Sequence, residues 1–187
     1  MGAGNEVFGT KAAGAPFTVY ALGEVKKDTA KPRSYAVAAG DALSDTWDLQ
    51  SFENNNYHLR VYGPNGFFRE FRGNAQDPLV SIVCTSERNK KQQLTGNVLF
   101  EIINNSTSSC TIEIDDKGYQ NGRQTKVVKP AAKTTLVIEL AKSFGWYDLS
   151  VKVKDAPLFE KRYAGRVETG KAGFTDPLMG RNKNIQQ

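Results

Sequence analysis

Tyr57-His58-Leu59-Arg60-Val61 returns 90 positions later as Tyr147-Asp148-Leu149-Ser150-Val151, and Phe67-Phe68-Arg69-Glu70-Phe71-Arg72-Gly73 returns 92 positions later as Phe159-Glu160-Lys161-Arg162-Tyr163-Ala164-Gly165. The two-residue difference falls in the loop between the paired stretches, where insertion costs least. Extended backwards, Ser44-Asp45-Thr46-Trp47-Asp48-Leu49 pairs with Thr135-Leu136-Val137-Ile138-Glu139-Leu140. That pairing bears on the one ambiguous segment, residues 131–144, which also fits an amphipathic helix through Leu136, Ile138, Leu140 and Phe144. As members of a repeat, residues 44–49 and 135–140 are both expected to be strands. The chain reads as a tandem duplication.

Working outward, strict alternation of apolar and polar residues recurs in Phe17-Thr18-Val19-Tyr20-Ala21, Val80-Ser81-Ile82-Val83-Cys84 and Thr111-Ile112-Glu113-Ile114. One face of each strand packs and the other meets water. Turn residues separate them, as in Gly63-Pro64-Asn65-Gly66, Asn104-Asn105-Ser106 and Asp115-Asp116-Lys117-Gly118. The expected fold is all-β: two tandem immunoglobulin-like antiparallel β-sandwich domains, residues 1–78 and 79–187, divided near Pro78. The first domain is the shorter, with a first strand expected around Glu6-Val7-Phe8 and its N-terminal strand trimmed. A linker this short predicts that the two domains abut.

The 187 residues are 39% hydrophobic and 24% charged, an ordinary globular composition. No run approaches the roughly 18 apolar residues of a transmembrane helix, and Met1-Gly2-Ala3-Gly4-Asn5 lacks the charged and apolar regions of a signal peptide. Residues 1–78 carry eight Lys/Arg and nine Asp/Glu, whereas residues 79–187 carry 17 and 11. A basic half could meet an anionic surface. Yet Ser150-Val151-Lys152-Val153-Lys154 alternates as the solvated face of a strand does, and nucleic acid is not expected as a partner.

Little here points to catalysis. The single histidine, His58, occupies an outward strand position with no evident companions. Cys84 and Cys110, 26 residues apart, lack the second pair that zinc requires; they read either as two small buried hydrophobes or as a disulfide. Asp115 and Asp116 adjoin a glycine turn that aspartate commonly caps, and their spacing does not make an EF-hand loop. No metal, cofactor or catalytic residue is assigned.

The most distinctive string is Arg60-Val61-Tyr62-Gly63-Pro64-Asn65-Gly66-Phe67-Phe68-Arg69-Glu70-Phe71-Arg72-Gly73, a hairpin in which Pro64 fixes φ and Gly66 supplies a positive φ. Phe67 and Phe71 share one face and Phe68 takes the other. Phe67, Phe68, Arg69 and Arg72, with Trp146, therefore form either an aromatic and cationic edge for lipid or a contact between the two domains. Filling of the core is the competing reading for these aromatics.

Tyr62-Gly63-Pro64-Asn65-Gly66-Phe67, Arg69-Glu70-Phe71-Arg72-Gly73, Gly145-Trp146-Tyr147-Asp148-Leu149-Ser150-Val151, Tyr163-Ala164-Gly165-Arg166-Val167-Glu168-Thr169-Gly170 and Asp176-Pro177-Leu178-Met179-Gly180, in that order, resemble the C-terminal tandem domains of bacterial phosphocholine-preferring (non-hemolytic type) phospholipase C. The resemblance runs from about Val7 to Gly180. It implies a non-catalytic accessory region, partnered by a larger phosphatase-like catalytic domain of the same polypeptide that uses metal-assisted chemistry. It also implies export to the periplasm or beyond through a signal carried elsewhere, and it raises the prospect of contact with a phospholipid surface. No catalytic residue of that family transfers to these positions. The second hairpin, Lys154-Asp155-Ala156-Pro157-Leu158-Phe159, lacks the Gly-Pro-Asn-Gly turn, and the tail 181–187 is more polar than the resemblance suggests. A purely structural or secretion module, and a free-standing adhesion or carbohydrate-binding sandwich, are the alternatives.

Overall fold

In a computed structural model that describes residues 1–22 and 32–179, the chain forms eleven strands and four one-turn helices. Gly180 and the polar tail lie outside the described residues. The strands are β1 (Ala15–Ala21), β2 (Arg33–Val37), β3 (Tyr57–Tyr62), β4 (Phe68–Gly73), β5 (Val80–Arg88), β6 (Leu94–Asn104), β7 (Cys110–Asp116), β8 (Arg123–Val128), β9 (Lys133–Ile138), β10 (Trp146–Val153) and β11 (Glu160–Arg166). All pair antiparallel, in an eight-stranded sheet ordered β2-β1-β3-β4-β11-β10-β7-β8 and a three-stranded sheet ordered β5-β6-β9. The all-β antiparallel fold is the one the alternation predicts. Among the described residues no helix is long and apolar enough to cross a membrane.

In the second half the two sheets face each other over one core. Val98, Phe100, Ile102 and Ile138 from the small sheet interlock with Ile112, Ile114, Leu149, Val151 and Tyr163 from the large one. Phe100 has no exposed surface and meets Tyr163 edge to face at 5.4 Å. The Tyr163 hydroxyl donates across the gap to the Ile82 carbonyl at 3.3 Å. Residues 133–138 are strand β9, paired with β6, so the strand reading of that segment holds over its helical alternative.

The first half is built differently. The inner face of β2-β1-β3-β4 carries Phe17, Val19, Val37 and Val61, and the residues packed on them include Met1, Ala3, Leu43 and Trp47 from irregular chain. Residues 44–49, expected to be a strand by repeat alignment, belong to no strand. The physical reason is local. The Asp45 carboxylate accepts from the Thr46 amide at 2.7 Å, and Asp48 accepts from Gln50 N at 2.9 Å to cap the one-turn helix Leu49–Ser51. Both bonds satisfy the backbone without a ladder. Trp47 lies under the Arg33 guanidinium at 3.9 Å and beside Phe52 at 6.4 Å, closing this layer. The expected strand near Val7 is likewise replaced by turn and a one-turn helix, Gly9–Lys11.

The hairpin between β3 and β4 turns through Asn65 and Gly66, both with positive φ (55° and 74°). Phe67 N donates to Pro64 O at 3.0 Å and Gly63 N to Phe67 O at 2.9 Å. The passage from β4 to β5 is also a built turn. The Asp77 carboxylate accepts from Asn74 N at 2.8 Å and from the Tyr57 hydroxyl at 2.5 Å. The halves do not merely abut. β4 pairs with β11 from Arg72↔Glu160 to Phe68↔Ala164, so one sheet runs through both.

Truncating Phe100 to Ala should cost about 3–5 kcal/mol, because a fully enclosed ring leaves a cavity bounded by both sheets. Urea unfolding of the two chains measures it; a loss below about 1 kcal/mol would mean that the sheets do not share this core.

Candidate functional site

Strand alternation divides the hairpin residues singled out in the sequence between the two faces of the large sheet. In β4, Arg69, Phe71 and Gly73 point one way and Phe68, Glu70 and Arg72 the other. The register sets Arg69 opposite Tyr163, and Glu70 opposite both Arg60 of β3 and Arg162 of β11. The five residues therefore do not form one edge. Phe67 packs into the first-half core, edge to face with Phe17 at 5.4 Å. Phe68 lies on the opposite face between Tyr62, 5.1 Å away, and the Arg162 guanidinium, 5.6 Å away.

Arg69 fastens the inner side of the seam between the halves. Its guanidinium stands 4.2 Å over Phe67, 5.2 Å from Tyr163 and 5.9 Å from Tyr147. It donates to Phe68 O at 2.8 Å, to Ala164 O at 2.9 Å and to the Tyr147 hydroxyl at 3.2 Å. A cation amid three rings from both halves, with backbone acceptors on β4 and β11, is a clamp.

Arg72 belongs to a cluster on the outer face that the sequence reading missed. At its centre is Glu70, whose side chain is only 3% exposed. Its carboxylate lies 2.5 Å from His58 Nε2, accepts from Arg72 at 2.8 Å and from Arg60 at 3.0 Å, and is 3.9 Å from Arg162. The lone histidine therefore has partners, contrary to the sequence reading. The legible signal was the i, i+2 run Phe68-Glu70-Arg72 beside His58-Arg60, but which residues face each other depends on register. Burial raises the Glu70 carboxyl; the hydrogen bonds from His58, Arg72 and Arg60 overcome that and bring it down to about 2. Beyond the seam, Arg162 also grips Asp148 at 2.6 and 2.5 Å, and the Ser150 hydroxyl donates to Glu160 at 2.5 Å. The face is a lattice of matched charges spanning both halves.

Trp146 sits apart, half-buried at the end of β10 on the outer side. Its indole N–H donates to Phe174 O at 3.0 Å, its ring stands over Gly66, and the Arg166 guanidinium is 5.9 Å away. Cys84 and Cys110 are both free thiols, on β5 and β7. Burial pushes the Cys84 thiol up to about 12, against a smaller opposing effect of Arg69, and burial raises Cys110 too. Asp116 spends its carboxylate on turn donors, the amides of Gly118, Tyr119 and Asn121. Asp115 holds Arg123 at 2.6 Å.

Comparison with known proteins gives these features a setting. Residues 3–74 and 80–166 match the model of a family described as bacterial phospholipase C, C-terminal domain. The chain is 36% identical over 174 residues to a non-hemolytic phospholipase C of Pseudomonas aeruginosa, covering 91% of this chain and 24% of that protein. It is 32% identical over 167 residues to a hemolytic phospholipase C of the same organism, covering 82% and 23%. It is 31% identical over 170 residues to a non-hemolytic phospholipase C of Burkholderia pseudomallei, covering 91% and 24%. The chain thus spans about a quarter of the length of these relatives.

Glu70→Gln should lower stability by about 1–2 kcal/mol at pH 7, since it takes from Arg60 and Arg72, both part-exposed, the carboxylate they share. Because the folded carboxyl is depressed, its contribution is full above the ordinary value of 4.5 and disappears as pH falls toward about 2. Denaturant midpoints against pH should fall through that window for the native chain and be flatter for the variant; parallel curves would refute the assignment. Separately, a disulfide-exchange reagent at pH 8 should modify Cys110 before Cys84, and equal rates would contradict the stronger upward push of burial on the Cys84 thiol.

Proposed function

This chain belongs to the family of bacterial phospholipase C C-terminal domains, and we propose that it is the non-catalytic accessory region of an exported phospholipase C that hydrolyses the phosphodiester of phosphatidylcholine. Its partner is the phosphatase-like catalytic domain of the same polypeptide. The observation that carries this reading is the family match across both halves in a chain covering only a quarter of its relatives' length.

The geometry supports an accessory role by what its reactive groups are engaged in. The His58 imidazole and Glu70 carboxylate are tied to each other and to arginines, and Asp148 is held by Arg162. Groups committed in this way stiffen a sheet. We read residues 1–78 and 79–187 as two repeats of one unit, joined through hairpins that correspond in sequence. A rigid, two-part body of this kind would hold a neighbouring catalytic domain in a fixed relation to its surroundings. A second reading, a module needed only for folding or secretion, draws on the same continuous sheet.

The purified chain should release no product from a chromogenic phosphocholine ester. Turnover that survives repurification and is absent from a mock preparation would overturn the accessory reading. A parent enzyme lacking residues 1–187 separates the two alternatives. Unchanged specific activity per folded molecule on both soluble and vesicular substrate would favour the folding module. A loss confined to vesicular substrate would favour positioning.

A further inference from the structure

The sheet end that carries the β3–β4 turn leaves large apolar side chains standing in solvent: Phe8 is 54% exposed, Phe144 48% and Phe174 63%, with Val7 beside them. Two of them are in contact. The Phe144 and Phe174 rings lie 4.6 Å apart, and Trp146 bonds the Phe174 carbonyl while covering Gly66. Val7 comes so close to Gly170 that a Cβ there would lie 3.0 Å from it. Phe8 overhangs a cleft of about 570 Å³ that is also lined by Lys11, Pro64, Asn65 and Arg166. Exposed Lys11 lines that cleft, and exposed Lys142 and Lys171 lie within three residues of Phe144 and Phe174, while the acids close in the chain are engaged: Glu6 with Arg88, Glu168 with Arg166 at 3.9 Å and Asp176 with the Tyr119 hydroxyl at 3.0 Å.

Phe144 adds an independent observation. It ends the one-turn helix Ala141–Ser143 in the left-handed region, φ 55° and ψ 37°. A bulky side chain is disfavoured there, and glycine would adopt the conformation freely. Neither core cluster includes the ring. Phe144 thus holds a backbone conformation its side chain does not favour, with half of its surface in water.

We propose that this end of the sheet, through Phe8, Phe144, Trp146 and Phe174 with their lysine rim, is the surface by which the protein rests on a phospholipid bilayer bearing anionic headgroups. The inference rests on the reading of the chain as part of a phospholipase C and supplies the contact surface that reading leaves open. The chemistry fits an interface: aromatic rings insert at the headgroup level, and lysines around them are attracted to a negative leaflet. An acidic rim would have suited a basic protein partner instead. The site differs from the edge read in the sequence, because Phe67 and Arg69 are turned into the seam.

Flotation of the 187-residue chain with phosphatidylcholine vesicles, with and without phosphatidylglycerol, is the test. The chain should rise with the vesicles, more so when phosphatidylglycerol is present, and less as salt is raised. Phe144→Gly combined with Phe174→Ser should weaken association about tenfold or more, from the loss of two buried rings, while the melting temperature stays level or rises. In a Trp47→Phe background, Trp146 emission should shift to the blue on binding and be quenched by brominated lipid. Failure to float with either vesicle, or a double variant that floats like the native chain, overturns the proposal. So does a double variant of the full-length parent that loses activity on a soluble phosphocholine ester, which would place the patch against the catalytic domain. None of these bears on whether the isolated chain is non-catalytic, which the ester assay decides separately.

Discussion

Antiparallel pairing of β4 with β11 makes one body out of two halves, and a charged cluster on each face of the sheet reaches across that pairing. A strand edge is a row of unpaired amides and carbonyls, and two hairpins with free edges would each invite foreign pairing. Here each edge satisfies the other. Alternation then places Arg69 on one side of the join and Glu70 on the other. The guanidinium is clasped by aromatic rings from both halves, and the carboxylate by cations from both. A shift of one residue in register would exchange these faces, setting an arginine network in the core and rings in water. The two charged clusters thereby specify the register as well as contributing to stability.

The two halves cover the inner face in unlike ways. The second half uses a complete sheet, β5-β6-β9, whose large apolar residues interdigitate with those below. The first half uses irregular chain, with Leu43 and Trp47 closing over a smaller cluster. The larger core belongs to the second half, and the first half gains order from the shared sheet. The two stretches that match the family model are therefore not two equal bodies.

Function follows from what that rigid body presents. Paired charges occupy much of the outer face beside the seam, and the cores occupy the inner face. Among the exposed apolar side chains, Phe8, Phe144 and Phe174 stand at the end of the sheet that carries the β3–β4 turn. The relatives are several times longer and are named as phospholipases C, and the proposed lipid contact stands in that setting.

Residue alternation alone determined the all-β antiparallel class. The repeat made residues 135–140 a strand despite their helical periodicity, and a strand lies there at Lys133–Ile138, because cross-strand partners rather than local pattern decide a short apolar segment. Ordered motifs also carried the family. What the sequence could not decide was which side chains meet. Residues 44–49 align with β9 yet form no strand, since side-chain bonds from Asp45 and Asp48 satisfy their backbone locally. His58 reads as solitary until β3 lies beside β4, and Phe67 and Arg69 read as an exposed edge until β11 covers them. Period-two alternation tells which residues of one strand share a face. Only the pairing of strands distant in the chain tells whether that face is buried, paired or open to another surface.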